Sequence, residues 1–336
     1  MQSFTTGLAL AALVLSPAAL AQTKWDLASA FVANNFHVAN LAEFASDVEK
    51  GTQGQLRITL HANSTLFKGS EIKRAVQGGQ VQAGEILMTA YENESAVLGV
   101  DGVPFLATSY ADARKLYEAQ KPVLRTYLEK QGIVLLYCVP WPASGIYSKR
   151  PVDAIADMRG IKWRAYSPAT TRMGELMQAQ PVTVQPAELS QALTTGVVEA
   201  FMTSTQTGVD SRAYEQVKYF YDLQAGLPKN AVFVNAKAFQ ALSADQQQVV
   251  MKAAHAAEER GWRLSGEWNE ASKKTLRDKG MTVSEPSPTL RAELFRAAIG
   301  GYGGVGVITE VELDLAQNLR IERHAARVAL DDYVGF

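Results

Sequence analysis

One segment, Gly160 to Gly208, restricts the possible folds more than any other, because short apolar runs alternate in it with helix signals. Lys162 to Ala165 reads as a strand. Ser167-Pro168 reads as a helix start, with a serine able to cap free N–H groups and a proline suited to the first helical position. Pro181 to Val184 reads as a second strand, Ala187 to Thr194 as a second helix stopped by Gly196, and Val197 to Met202 as a third strand. Parallel strands connected in this way bind ligands beyond their carboxyl ends, where the topology switches. Arg164 ends the first strand and Thr203-Ser204 follow the third. A permanent cation and two hydroxyls then share one pocket mouth, a combination suited to a small carboxylate.

The same stretch carries Gly160-Ile161-Lys162-Trp163-Arg164, then Ala179-Gln180-Pro181-Val182, then Glu188, Ala192-Leu193 and Gly196-Val197-Val198-Glu199. In this order the pieces resemble the substrate-binding proteins of tripartite ATP-independent periplasmic (TRAP) transporters, the dicarboxylate-type receptor family. The likeness extends over Trp25 to Ala298 and includes Gly51 to Leu60, Glu71 to Gly79 and Val103-Pro104-Phe105-Leu106. Two details depart from the family pattern: Gln178 stands where a glycine is usual, and Glu199-Ala200 replaces Asp-Gly. The resemblance implies a two-domain periplasmic binding protein fold (α/β, type II-like). Mostly parallel sheets are flanked by helices, and one long helix spans both domains.

The chain of 336 residues suggests about two domains at ~150 residues each. Hydrophobic residues make up 47% and charged residues 20%, as in a well-packed globular protein. A net charge of −1, with no Lys/Arg run, argues against nucleic acid or an anionic membrane as partner. Residues 1–21 read as a secretory signal: Gly7 to Leu15 is apolar, Pro17 breaks it, and Ala19-Leu20-Ala21 is an A-x-A cleavage site. Met1 to Thr6 lacks the usual Lys or Arg. A periplasmic, monomeric product is expected. Cys138, the one cysteine, falls in the apolar run Ile133 to Cys138 and reads as a buried strand residue.

Along the rest of the chain, strand and helix signals alternate. Trp25 to Phe31 reads as a strand and His37 to Lys50 as an amphipathic helix. Leu56 to Leu60 reads as a strand and Glu71 to Gln77 as a helix. Ser109 with Asp112 starts a helix through Tyr117. Ile133 to Val139 has the unbroken apolar character of a buried parallel strand. Val139-Pro140-Trp141-Pro142-Ala143 and the region of Leu227 to Ala231 read as crossings between domains. This places domain I at 22–143 plus 232–272 and domain II at 144–231 plus 273–336. Ser243 with Gln246 opens a helical stretch to about Lys279, either one long helix or two broken at Gly261 or Gly266. The run Gly300 to Gly306 interrupts the final helical pattern, and Val307 to Phe336 departs from the family pattern.

The candidate ligand residues are Arg164, Tyr166, Trp141, Thr203, Ser204, Phe201, Glu85, Thr89 and His37. Arg164 could grip a carboxylate through two parallel hydrogen bonds. The bland alternative is a surface ion pair with Glu175 or Glu188. Trp163 and Arg164 point to opposite faces of their strand, so Trp163 belongs to the core and Tyr166 shares the side of Arg164. Trp141 sits at a domain crossing; Phe201 could face core or cleft. The resemblance implies ligand contacts from Phe31 to His37 and from Gly84 to Thr89. Glu85 there is either an acceptor for an amide or hydroxyl, or a partner of Lys73 or Arg74. His37 is equally a helix N-terminal residue.

Enzyme signals are weak. Gly301 to Gly306 spells G-x-G-x-x-G but follows a helical pattern rather than a strand. Ala143-Ser144-Gly145 lacks the nucleophile elbow. His37, His61, His255 and His324 form no metal motif. No cofactor, metal or catalytic residue is expected. The expected function is reception of a small monocarboxylate; the resemblance implies first a pyroglutamate-like cyclic acid, with an aromatic hydroxy or keto acid second. The resemblance implies delivery to a permease of small and large membrane subunits. A receptor feeding a sensor kinase is the alternative, and a periplasmic hydrolase a weaker one.

Overall fold

The computed structural model describes residues 22–301, with side chains to residue 297. The signal segment 1–21, His324, the glycine run beyond Gly301 and the C-terminal residues to Phe336 lie outside the described residues. In chain order the first elements are β1 (Thr23–Ala28), α1 (Phe36–Gly51), β2 (Leu56–His61), α2 (Gly69–Gln77), β3 (Ala83–Leu87), α3 (Ala96–Gly99), α4 (Tyr110–Glu129) and β4 (Ile133–Pro140). Then come β5 (Ser144–Ser148), β6 (Lys162–Ala165), α5 (Pro168–Leu176), β7 (Gln180–Thr183), α6 (Leu189–Thr194), β8 (Ala200–Ser204), α7 (Thr205–Asp210) and β9 (Tyr219–Tyr221). The last are β10 (Lys229–Asn235), α8 (Ala236–Gln240), α9 (Ala244–Asp278), β11 (Thr282–Ser284) and α10 (Pro288–Gly301).

The strands form two sheets, in the orders β2-β1-β3-β10-β4 and β11-β9-β5-β8-β6-β7. Each sheet is the centre of one lobe, with apolar clusters on both of its faces. The expectation of mostly parallel sheets needs correction, because both are mixed. β10 runs antiparallel to β3 and β4, and β5 runs antiparallel to β8 and β9. The chain leaves the first sheet through β4, enters the second through β5, and returns through β10; of these, β5 and β10 run against the other strands of their sheets. β4 is an edge strand and not an interior parallel one. Its apolar run is explained by α4 and α9 packing against it.

Local chemistry sets most helix starts. Asn35, Ser109, Ser167 and Ser243 accept a backbone N–H with their side chains at the starts of α1, α4, α5 and α9. α4 continues through Pro122 to Glu129, well past Tyr117. Gln178, at the position where the family usually has glycine, has φ 54°, the left-handed conformation glycine adopts at least cost.

α9 is one continuous helix of 35 residues, unbroken at Gly261 or Gly266. It packs on α1 and β4 of the first lobe and on α7 and β11 of the second. Gly261 is required by close approach: a Cβ there would lie 2.3 Å from Val139 Cγ2 and 2.9 Å from Asn40 Nδ2. At Gly266 a Cβ would meet nothing nearer than Tyr110 at 4.0 Å. Helix propensity alone favours alanine over glycine by ~1 kcal/mol at either site. Urea unfolding should therefore show Gly266→Ala stabilising by up to ~1 kcal/mol. Gly261→Ala should destabilise by ~1–3 kcal/mol through overpacking. Equal effects at the two positions would mean that α9 does not lie this close to β4.

Candidate functional site

Side chains alternate along β6, so Trp163 and Arg164 face opposite ways. Trp163 joins the core cluster of Ile146 and Met202. Arg164 turns to the other face and is only 2% exposed. Its Nε donates to the Val184 carbonyl at 3.0 Å, and its guanidinium carbon lies 5.0 Å from the centre of the Tyr166 ring. Neither acid considered for it is a partner: Glu175 pairs with Arg172, and Glu188 accepts from the Gln185 N–H. Among the described residues no carboxylate faces Arg164. Burial lowers its pKa to about 10, which leaves it a cation at neutral pH. A buried cation without a counterion is costly, and an anion arriving beside it offsets that cost.

Arg164 lines a cavity of about 130 Å³ between the lobes. Tyr166, Trp141, Thr203 and Ser204 line it too, so five of the nine expected residues meet there. β6 and β8 are parallel neighbours with Arg164 opposite Phe201, which carries Arg164 and the Thr203-Ser204 pair to the same sheet edge. A second cavity of about 310 Å³ adjoins the first across Phe31, Leu87 and Tyr166, and Glu85 lines it.

Glu85 is 1% exposed and pairs with neither Lys73 nor Arg74. It accepts from Ser29 Oγ at 2.6 Å and from Asn230 Nδ2 at 2.9 Å. Asn230 Oδ1 in turn accepts the indole N–H of Trp141 at 2.7 Å. A buried polar chain thus fixes Trp141, the aromatic wall of the cavity. Burial raises the Glu85 carboxyl to about 7, against the smaller opposing effect of its two donors. Burial holds the nearby His37 ring well below its usual value, so its 3.4 Å contact with Glu85 involves a neutral imidazole.

Three expected residues lie elsewhere. His37 is in the first turn of α1, with ring centres 4.3 Å from Trp141 and 4.2 Å from Phe36, and lines neither cavity. Thr89 is buried in the turn after β3. The strand stops at Leu87, the alternation that carries Glu85 to the cleft lapses, and Thr89 packs against Gly102. Phe201 stacks on Tyr147 at 4.7 Å within the core. β8 runs from Ala200 to Ser204, and the cavity begins at Thr203, beyond Phe201.

Other lining residues escaped sequence reasoning. Thr207, Asp210 and Ser211 recur at helical spacing along α7 and its end, and all three face the cavity. That polar periodicity was the available signal. Asp210 accepts from Gln206 Nε2 at 2.7 Å and from Asn35 Nδ2, on the other lobe, at 2.6 Å. A second hydrogen bond also joins the lobes: Glu92 accepts from the Ala169 N–H at the start of α5. Away from the cleft, His255, Glu258 and Glu259 cluster on α9. Tyr117, Lys121 and the Cys138 N–H already occupy Glu258, and Arg114 pairs with Glu259.

Residues 28–302 match the family of bacterial extracellular solute-binding proteins, family 7 (DctP). The solved structure of DctP6 of Bordetella pertussis, an extracytoplasmic solute receptor binding pyroglutamic acid, is 51% identical, covers 84% of this chain and 94% of its own, and superposes with a TM-score of 0.83. DctP7 of Bordetella pertussis, also a receptor binding pyroglutamic acid, is 43% identical with the same coverage and TM-score 0.83. A TRAP solute-binding protein from a marine metagenome, specific for pyroglutamate, is 40% identical, covers 85% of this chain and 96% of its own, and has TM-score 0.83.

The buried carboxyl of Glu85 couples stability to pH. Its folded value of about 7 exceeds its ordinary value of 4.5, so the folded state holds the proton more tightly. Stability from this group is complete below pH 4.5 and is lost as pH rises through 7. Glu85→Gln should flatten the fall in melting temperature between these limits. Glu92, raised by burial to about 7, contributes to the slope that remains, as do Asp101 and Asp210, whose carboxyls burial also raises. An unchanged melting profile in Glu85→Gln would mean that Glu85 is not desolvated in solution.

Proposed function

We propose that this chain, which belongs to family 7 of the bacterial extracellular solute-binding proteins, is a TRAP receptor for a small cyclic monocarboxylate of the pyroglutamate type. The observation that carries the reading is Arg164, a buried guanidinium without an acidic partner at the wall of a small cavity between the lobes. The ligand carboxylate takes the two free nitrogens of the fork, and a hydroxyl of Thr203 or Ser204 adds a bond. Trp141, Tyr166 and Phe31 enclose a compact, ring-shaped body. With one cation and one acid in the lining, the cavity suits one carboxylate better than two. Similarity to three receptors described as binding pyroglutamate supports the same choice. Aromatic hydroxy or keto acids are the second candidates.

The protein works in the periplasm and performs no reaction. Its ligand touches both lobes only when they close, and this differential contact shifts the population toward the closed form. That form is recognised by a permease of small and large membrane subunits, which uses an ion gradient and no ATP.

A thermal-shift titration of residues 22–336 against cyclic, aromatic and dicarboxylic acids tests the reading. Ligand that binds only the folded state raises the melting temperature. Pyroglutamate should produce the largest shift, and Arg164→Ala should weaken its affinity ~30- to several-thousand-fold. Arg164→Lys should recover only part of the loss, because an ammonium lacks the planar fork. Equal shifts in wild type and Arg164→Ala would overturn the assignment.

A further inference from the structure

Asn35 uses its amide at both ends. The side chain is fully buried, and its Oδ1 accepts from the His37 N–H at 2.8 Å, capping α1 of the first lobe. Its Nδ2 donates across the cleft to Asp210 Oδ2 at 2.6 Å. The two bonds set the amide orientation, with oxygen on the helix terminus and nitrogen toward the second lobe. Asp210 ends α7, and its other oxygen accepts from Gln206 at 2.7 Å. Burial raises the Asp210 carboxyl above its ordinary value, and no cation offsets this. Asn35 is therefore its donor from the opposite lobe, at the edge of the ligand cavity.

We infer that Asn35 and Asp210 form a clasp that holds the two lobes together over the cavity, with Asp210 acting as a positioning residue for ligand retention. A hydrogen bond to an unpaired, largely desolvated carboxylate is charge-assisted. Opening the cleft breaks it and rehydrates both groups, so the net gain is about ten- to a hundredfold in favour of closure. The effect on affinity rests on the receptor reading above; the bond itself involves protein groups alone.

Asn35→Asp is the informative variant. Aspartate caps a helix as well as asparagine does, so α1 keeps its start. The donor to Asp210 becomes a second carboxylate, and like charges face each other across the cleft. In the double variant Asn35→Asp/Asp210→Asn the polarity is exchanged: the amide at position 210 donates to the carboxylate at position 35. Pyroglutamate affinity by calorimetry and the ligand-free radius of gyration by small-angle scattering would be compared among wild type and both variants. Asn35→Asp should expand the ligand-free particle and weaken pyroglutamate binding about ten- to a hundredfold. The exchanged pair should restore affinity to within about twofold of wild type, as an isolated pairwise coupling requires. Unchanged affinity and dimensions in Asn35→Asp, or an exchanged pair no better than the single variant, would overturn the clasp. Absence of acid binding by wild type, with the scattering pattern of opening and restoration intact, would sink the ligand reading and support the clasp.

Discussion

The cleft depends on the burial of Arg164 without a counterion. A guanidinium removed from water loses hydration worth several kcal/mol, and one bond to the Val184 carbonyl returns only part of it. The surrounding structure keeps this charge in place. β6 fixes the backbone, the α5 start at Ser167 bounds the loop that follows, and Tyr166 covers the guanidinium with its ring face. A carboxylate entering here recovers electrostatic energy that a neutral solute cannot. Affinity and selectivity therefore have one source.

The two lobes meet that requirement with different materials. The second lobe presents Arg164 and hydroxyls at the carboxyl ends of neighbouring parallel strands. The first presents a wall of aromatic rings, held by the bonds that run from Trp141 through Asn230 to Glu85 and Ser29. Between them the chain crosses through β4, β5 and β10, and α9 lies along both sheets. Where β10 begins, Lys229 and Asp101 form a fully buried ion pair at 3.1 Å. Such a pair is poor support for net stability but strongly penalises rearrangements that separate it. The bonds from Asn35 and Glu92 cross the cleft itself.

Much of this was legible in sequence because it is local. Ser167-Pro168, Ser109 and Ser243 mark helix starts through their own side chains, and Lys162 to Ala165 alternates as a strand must. Strand direction was less accessible. The same apolar run, Ile133 to Cys138, suits a parallel interior strand or an antiparallel edge strand covered by helices, and only the positions of α4 and α9 decide between them. Side-chain facing was open for Phe201, which stacks inward on Tyr147, and the early end of β3 removed Thr89 from the cleft.

By itself the sequence determined the α/β alternation, the family and the place of a cation, Arg164, at the end of a strand, since each rests on residue type and short-range spacing. Tertiary structure alone decided that Arg164 has no acidic partner, that Glu85 holds Trp141 through Asn230, and that Asp210 meets Asn35, 175 positions away. These facts depend on desolvation and on contacts between distant segments. Neither quantity is a property of a residue or its neighbours in the chain, and both arise only when the two sheets are brought face to face.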